Sequence, residues 1–304
     1  MARWSTAIQL VGAGGEPVDF ARTLLSHGVV DLPPNEIAAD GTLMRTVLTA
    51  GEGAWLVELT FDGEGRARLG APGDAIAPPA AHRPALVAQI RHMLRLDEDL
   101  SAFYLLAAAD PALAWVVAGA GRMMRSSTVF EDLVKTICTT NCAWSATVRM
   151  VRALVSELGT PAAGVPERRA FPEPATVANA GDAFFRDVAR AGYRGPYLRA
   201  LAEDVASGRL ELEALRDPGL PDQEVADRLL NVAGVGPYAM AHMMMLLGRY
   251  QRLILDSWTR PKYRRVSDRP RITDKGIERS FRRYRQFAGL AFWLTLTEDW
   301  LPID

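Results

Sequence analysis

The chain has 304 residues, 49% apolar and 23% charged, with a formal net charge of −1. This length allows one large domain or two small ones, with an ample buried core. A mean hydropathy of −0.01, with no run of about 18 uncharged apolar residues, excludes a membrane span. The opening MARWSTAIQL lacks a basic stretch followed by an apolar one, so no secretory leader is expected. Two cysteines make no disulfide framework and no four-cysteine metal or iron–sulfur site. A protein of a reducing cytoplasm fits.

The first 80 or so residues read as mixed α and β. VVDLPPNEIAADG is a loop or an edge. AWLVELTF at 54–61, the turn DGEG and then RARL predict an antiparallel hairpin. APGDAIAPPAAHRP at 71–84 marks the exit from this part. The expectation is therefore a small α+β domain with an antiparallel sheet over 1–82 and a mainly helical domain over 83–304. PALVAQIRHMLRL and LSAFYLLAAA read as compact apolar helices. Over 129–141, Phe130, Leu133, Val134, Ile137 and Cys138 form a single helical stripe. Val148, Val151, Val155 and Leu158 mark the next helix, which Gly159 ends. TPAAGVPERRAFPEPAT at 160–176 reads as a Pro-rich connector. Further helices are expected near 183–191, 196–206, 222–231 and 237–248, before a closing stretch over 276–297.

The segment LLNVAGVGPYAMAHMMMLLG at 229–248 reads as helix, Gly-x-Gly turn, helix, with the pair spanning 222–248. Glycine permits the tight turn, and Pro237 suits the first position of a helix. Backbone N–H groups at such a turn can grip a phosphate; a plain helical corner would use the same glycines for close packing. Asp256 follows twenty residues after Gly236, behind three apolar residues. As a helix N-cap it would need no further role. Cys138 and Cys142, one helical turn apart, read as small buried residues. Residues 249 to 285 hold 13 basic and 4 acidic side chains, so a net of +9 stands against −10 for the rest. Such a block is either a solvated face or a surface for a polyanion. There are only 3 lysines (Lys135, Lys262, Lys275) against 32 arginines, which with abundant alanine looks like a GC-rich genome.

Together the hairpin and the apolar run ending in Asp256 resemble the helix-hairpin-helix (HhH-GPD) DNA glycosylase superfamily. ICTTNCAWSATVRMVRAL and Gly192-Tyr193-Arg194 are similar to segments of the 8-oxoguanine DNA glycosylase branch. FAGLAFWL resembles the closing helix. The resemblance implies a protein that acts on double-stranded DNA; a cytoplasmic, bacterial, nucleoid-associated protein is expected, and, since no oligomer signature stands out, a monomer. It implies that Gly234, Val235 and Gly236 hold the backbone, that Asn141 and Tyr193 fill the gap left by an everted nucleotide, and that Arg194 contacts the orphaned base. Asp256 would stabilise a cationic sugar or orient water. Arg260 and Lys262 would contact phosphates.

Bifunctional members carry a lysine where this chain has Tyr238, so the resemblance implies hydrolysis without strand cleavage. Lys262 is the formal substitute. An aromatic at this position resembles the 3-methyladenine DNA glycosylase II branch. It makes Tyr238, His242 and Trp293 the walls of a base pocket that attracts cationic alkylpurines; the same residues could equally be core. No metal and no iron–sulfur cluster is expected, and the hairpin leaves room for a structural monovalent cation. A catalytically idle DNA-structure-binding protein, a glycosylase/lyase using Lys262 and a helical protein unrelated to DNA remain the other readings.

Overall fold

The computed structural model describes residues 4–73 and 75–301. The chain opens with β1 (Ser5–Gln9) and α1 (Phe20–Leu24), followed by β2 (Glu36–Ile37), β3 (Leu43–Ala50), β4 (Gly53–Phe61) and β5 (Arg66–Gly70). These strands form an antiparallel sheet in the order β1-β5-β4-β3-β2. The expected hairpin is β4–β5, with Phe61 opposite Ala67. The loop-or-edge segment supplies β2 at the sheet edge.

Two features cross the expected boundary at residue 82. Helix α2 (Arg83–Met93) sends Leu86, Ile90 and Met93 into the same core as Met44, Leu48, Val57 and Leu59 of the sheet. The Pro-rich connector returns as β6 (Pro161–Ala162) and β7 (Val165–Arg169), with Ala162 paired in parallel to Ala54. Ala162 and Ala170 then cover the opposite face of β3 and β4 at Val47, Ala54 and Leu56. Alternation along a strand exposes both faces, so both must be covered.

The remaining elements are α3 (Ser101–Ala108), α4 (Val129–Thr139), α5 (Trp144–Ala153), α6 (Pro174–Ala178), α7 (Gly181–Ala183), α8 (Arg194–Ala206), α9 (Asp222–Leu230), α10 (Pro237–Leu246), α11 (Thr259–Val266), α12 (Asp274–Phe281) and α13 (Ala288–Thr297). Helix α10 lies between two cores. Its Ala239, Met240, Met243 and Met244 pack with α4, α5, α8 and α9, while Ala241 and Met245 pack with α3 and α13. A helix buried on all sides has no polar face, which is why PYAMAHMMML shows no amphipathic stripe.

A polar strut fixes the far end of α10. Arg95 donates from Nη1 to the Leu246 carbonyl at 2.5 Å and pairs with Glu98 at 2.6 Å, and the Tyr250 hydroxyl donates to Glu98 at 2.7 Å. The guanidinium supplies donors to a helix C-terminus whose carbonyls lack partners. The closing stretch over 276–297 is not one continuous helix. A 3₁₀ segment over Arg282–Phe287 contains Arg285 at φ 51 and ψ −123, and α13 starts only after it. No helix among the described residues is long and apolar enough to cross a membrane.

Candidate active site

The turn between α9 and α10 is built on Gly234. Its φ is +88, and a Cβ there would stand 2.7 Å from the Tyr197 ring. Both facts demand glycine. Gly236 precedes Pro237, and a Cβ on it would meet nothing within 4 Å, so the backbone at the start of α10 faces open space. Its first N–H groups have no helical partners. Val235 behaves differently from its neighbours. Its side chain is buried and its N–H donates to the Val232 carbonyl, so it anchors the turn from inside.

Asp256 both caps a helix and lines a cleft. Its Oδ1 accepts from the Trp258 and Thr259 backbone N–H groups at 2.8 and 2.7 Å. Its own N–H donates to Thr259 Oγ1 at 2.9 Å. This reciprocal cap starts α11 and pins one carboxylate oxygen. The other, Oδ2, accepts no hydrogen bond among the described residues, though the carboxylate acts electrostatically on Arg260. Gly289 holds the approach to this loop. Its N–H donates to Tyr250 O at 2.6 Å, and a Cβ on it would lie 2.1 Å from the Arg252 carbonyl. Only glycine lets α13 press against the chain leading to Asp256.

The cleft has a volume of about 1040 Å³. Asp256, Gly234, Gly236, Asn141, Tyr193 and Arg260 line it together with the expected walls Tyr238, His242 and Trp293. The walls are largely aromatic. Tyr238 and His242 stack with centroids 6.2 Å apart. Trp293 lies 5.7 Å from Trp258 and 6.1 Å from Trp300. Its indole N–H donates to Ser26 O at 2.8 Å, which ties α13 to the N-terminal part. Tyr238 Oη lies 3.4 Å from Thr139 Oγ1, and burial raises its pKa.

Four further ring-bearing residues line the cleft without having been singled out in the sequence: His27, Trp144, Trp258 and Trp300. His27 meets His242 edge-on at 5.5 Å, and its Nε2 lies 2.7 Å from Met124 O. A carbonyl there requires Nε2 to carry the proton, leaving Nδ1 a lone-pair acceptor. Burial, the largest cause, and the neighbouring His242 push His27 down to about 3; burial pushes His242 down to about 4. Both are neutral rings. The adjacency of Trp258 to Asp256 was a signal in the sequence; for His27, about 200 residues away, there was none.

The Asn141 and Tyr193 side chains meet at the cleft rim, Nδ2 donating to the hydroxyl at 3.3 Å. Asn141 has φ +46, in the left-handed region that asparagine tolerates. Tyr193 is half exposed, and its ring packs edge-on against Tyr197 at 6.1 Å. Arg194 is not beside them in the cleft. It is buried, donates to the carbonyls of Thr140 and Ala191, and lies 4.5 Å from the Tyr193 ring. The Thr140 carbonyl at the end of α4 takes a cation that the resemblance assigned to an unpaired base.

No lysine is among the residues lining the cleft. Lys135 is buried, 2.7 Å from Glu131, and donates to Leu32 O. Lys262 Nζ lies 2.5 Å from Asp299 Oδ2. Arg260 is held by both oxygens of Asp274, at 3.0 and 2.9 Å. Cys138 and Cys142 are free thiols, and burial pushes Cys138 up to about 12. Among the described residues no group of three or more His, Cys, Asp or Glu could hold a metal ion.

No family model and no curated protein matches the sequence. Solved structures do match its fold. MBOgg1, in complex with a low affinity DNA ligand, superposes with a TM-score of 0.73 at 17% identity, covering 97% of both chains. The 3-methyladenine DNA-glycosylase of Archaeoglobus fulgidus gives 0.72 at 18% identity over 96% of this chain and 98% of that one. The apo-form of the 8-oxoguanine glycosylase/lyase of Clostridium acetobutylicum gives 0.72 at 18%, covering 97% of each. The chain therefore has the fold of the helix-hairpin-helix glycosylases: a small antiparallel sheet followed by a helical part that carries the hairpin.

Proposed function

We propose that the protein is a monofunctional DNA N-glycosylase of base excision repair that everts a damaged purine, an alkylated one before others, and hydrolyses its glycosidic bond. The observation that carries this reading is the half-used carboxylate of Asp256, set in an aromatic cleft between the hairpin and the Asn141–Tyr193 pair. A glycosidic bond inside a base stack is out of reach, so the nucleotide must leave the duplex. The hairpin grips the backbone, Asn141 and Tyr193 fill the gap, and the base enters between the Tyr238–His242 stack and the tryptophans.

A cationic alkylpurine gains from these ring faces. It also leaves as a neutral base once the electron pair of the C1′–N bond moves to the ring. Asp256 Oδ2 stabilises the positive sugar, and this attraction grows as the charge develops. Water then bonds to C1′ and passes its proton to Asp256. With no lysine lining the cleft, water is the nucleophile. The three solved structures named above, two of them glycosylases by name, support an N-glycosylase.

A second reading rests on the cap at Trp258 and Thr259: Asp256 as structure only, in a DNA-binding protein without chemistry. Duplexes carrying a single 3-methyladenine analogue, hypoxanthine, 8-oxoguanine or uracil test both. Strand breaks appearing only after hot alkali support the proposal. Breaks without alkali, with borohydride trapping, would assign a lyase, and Lys262 would be the amine to replace. Duplex binding without excision of any lesion would favour the idle protein.

A further inference from the structure

A second cavity, of about 800 Å³, adjoins the cleft and shares Pro237, Tyr238, Leu255 and Arg260 with it. Arg252, Arg260, Arg282 and Arg285 line it with Gln251 and Gln286, against the single carboxylate of Glu278. Two of these arginines have work within the fold: Arg260 pairs with Asp274, and Arg252 donates to Gln223 Oε1 at 2.9 Å. Arg282 and Arg285 are exposed and make no hydrogen bond or ion pair among the described residues. Elsewhere in the basic block Arg249 is held by Asp222 and by the Leu220 and Asp217 carbonyls, Lys262 by Asp299 and Arg283 by Asp110.

Arg285 adds an independent sign. Its φ of 51 and ψ of −123 are glycine-like, yet the position carries a long cationic side chain. Buried Tyr284 and Phe287 on either side hold the strained backbone in place. Strain kept at an exposed cation is characteristic of a working surface. The folded chain alone gains nothing from gathering guanidiniums that repel one another; an anion among them relieves that repulsion.

We infer that this arginine-lined cavity is a track for the sugar-phosphate backbone of the damaged strand, continuing from the hairpin past the everted nucleotide. The inference rests on the reading of the protein as a DNA-binding glycosylase. The shared wall at Pro237 and Tyr238 makes the track continuous with the cleft. A phosphodiester strand suits it because guanidinium forks match phosphate oxygens and read no sequence.

The test is the salt dependence of binding to a duplex with a non-cleavable abasic analogue, for the unsubstituted chain, Arg282→Ala, Arg285→Gly and Arg285→Lys. Arg285→Gly suits the native backbone, so it folds. Each neutral substitution is expected to lower the slope of log affinity against log salt by roughly 1 and to weaken binding about tenfold at low salt. Arg285→Lys should restore the slope, and Arg209→Ala, at a distant ion pair with Asp204, should leave it unaltered. Unchanged slopes in a protein that binds duplex would overturn the track. Failure of the unsubstituted chain to bind duplex would overturn the glycosylase reading with it. Inorganic phosphate is the second arm: saturable phosphate binding to the free protein that Arg282→Ala and Arg285→Gly abolish while their duplex affinity and salt slope stay unchanged would assign the cavity to a small phosphate ligand instead.

Discussion

Asn141 Nδ2 donates to the Tyr193 hydroxyl at 3.3 Å across 52 residues of sequence. The bond joins the turn after α4 to the start of α8 at the rim of the cleft. Paired, the two side chains form one wedge of fixed shape. Removal of either should weaken excision, and the double variant Asn141→Ala/Tyr193→Phe should lose less than the sum of the singles. A coupling of about 0.5–1 kcal/mol in single-turnover rates is expected. Strict additivity would mean that the two act separately.

Asp256→Asn separates charge from cap. Asparagine keeps an Oδ1 that accepts from Trp258 and Thr259, so the fold should hold. Excision should fall by about 10²-fold or more, with an unfolding midpoint close to that of the unsubstituted protein. Full excision by the variant would reduce Asp256 to a cap.

Tyr238→Lys should install the missing amine. The site is largely buried, and burial lowers a lysine pKa and so frees the nucleophile. Borohydride should trap this variant on damaged duplex, while the unsubstituted chain and Lys262→Ala should both remain untrapped. Trapping of the unsubstituted chain that disappears in Lys262→Ala would reverse the assignment.

Gly234→Ala should cost about 1–3 kcal/mol. The substitution meets a φ of +88 and the Tyr197 ring at 2.7 Å together. Gly236→Ala meets no atom and should fold normally, so chemical denaturation of the pair reads the difference. Equal stability of the two variants would contradict this account of the turn.

Stability should rise with pH between about 4 and 6.5. Burial depresses His27 to about 3, His242 to about 4 and His92 to about 2, against 6.5 in the unfolded chain. The unfolded chain therefore binds more protons in that window. Stability is complete above the unfolded value and is lost as the pH falls toward the folded ones. Asp132, raised by burial to about 6 from 3.8, and Asp31, also raised by burial, oppose this, as two groups against three. The urea midpoint should be higher at pH 7 than at pH 4.5, and His242→Phe should flatten the difference. A midpoint that falls with rising pH would refute the assignment.

The parts of the site carried by short runs of chain were legible in the sequence. The Gly-x-Gly turn, the apolar lead into Asp256 and the β4–β5 hairpin each depend on local conformation, which neighbouring residues encode. Legibility ended where distant segments meet. His27 and Trp300 reach the cleft from opposite ends of the chain, and no periodicity links them. Arg194 looked available because sequence does not show that the Thr140 carbonyl needs a donor. Similarly, α2 looked like the first helix of a second domain, and only its packing shows that Leu86 and Ile90 belong to the sheet.

The hydrogen bond from Trp293 to Ser26 and the contact of His27 with His242 give the N-terminal segment a share in the pocket. If the proposed function holds, catalysis and selectivity have separate addresses. In the proposed function the carboxylate loop sits far along the chain, while one wall of the cleft that would receive the base belongs to the segment around Ser26 and His27. Substitutions around Ser26 and His27 can retune which base is admitted and leave the carboxylate untouched. Lesion preference would then be set partly by a segment lying about 230 residues before the carboxylate in the chain.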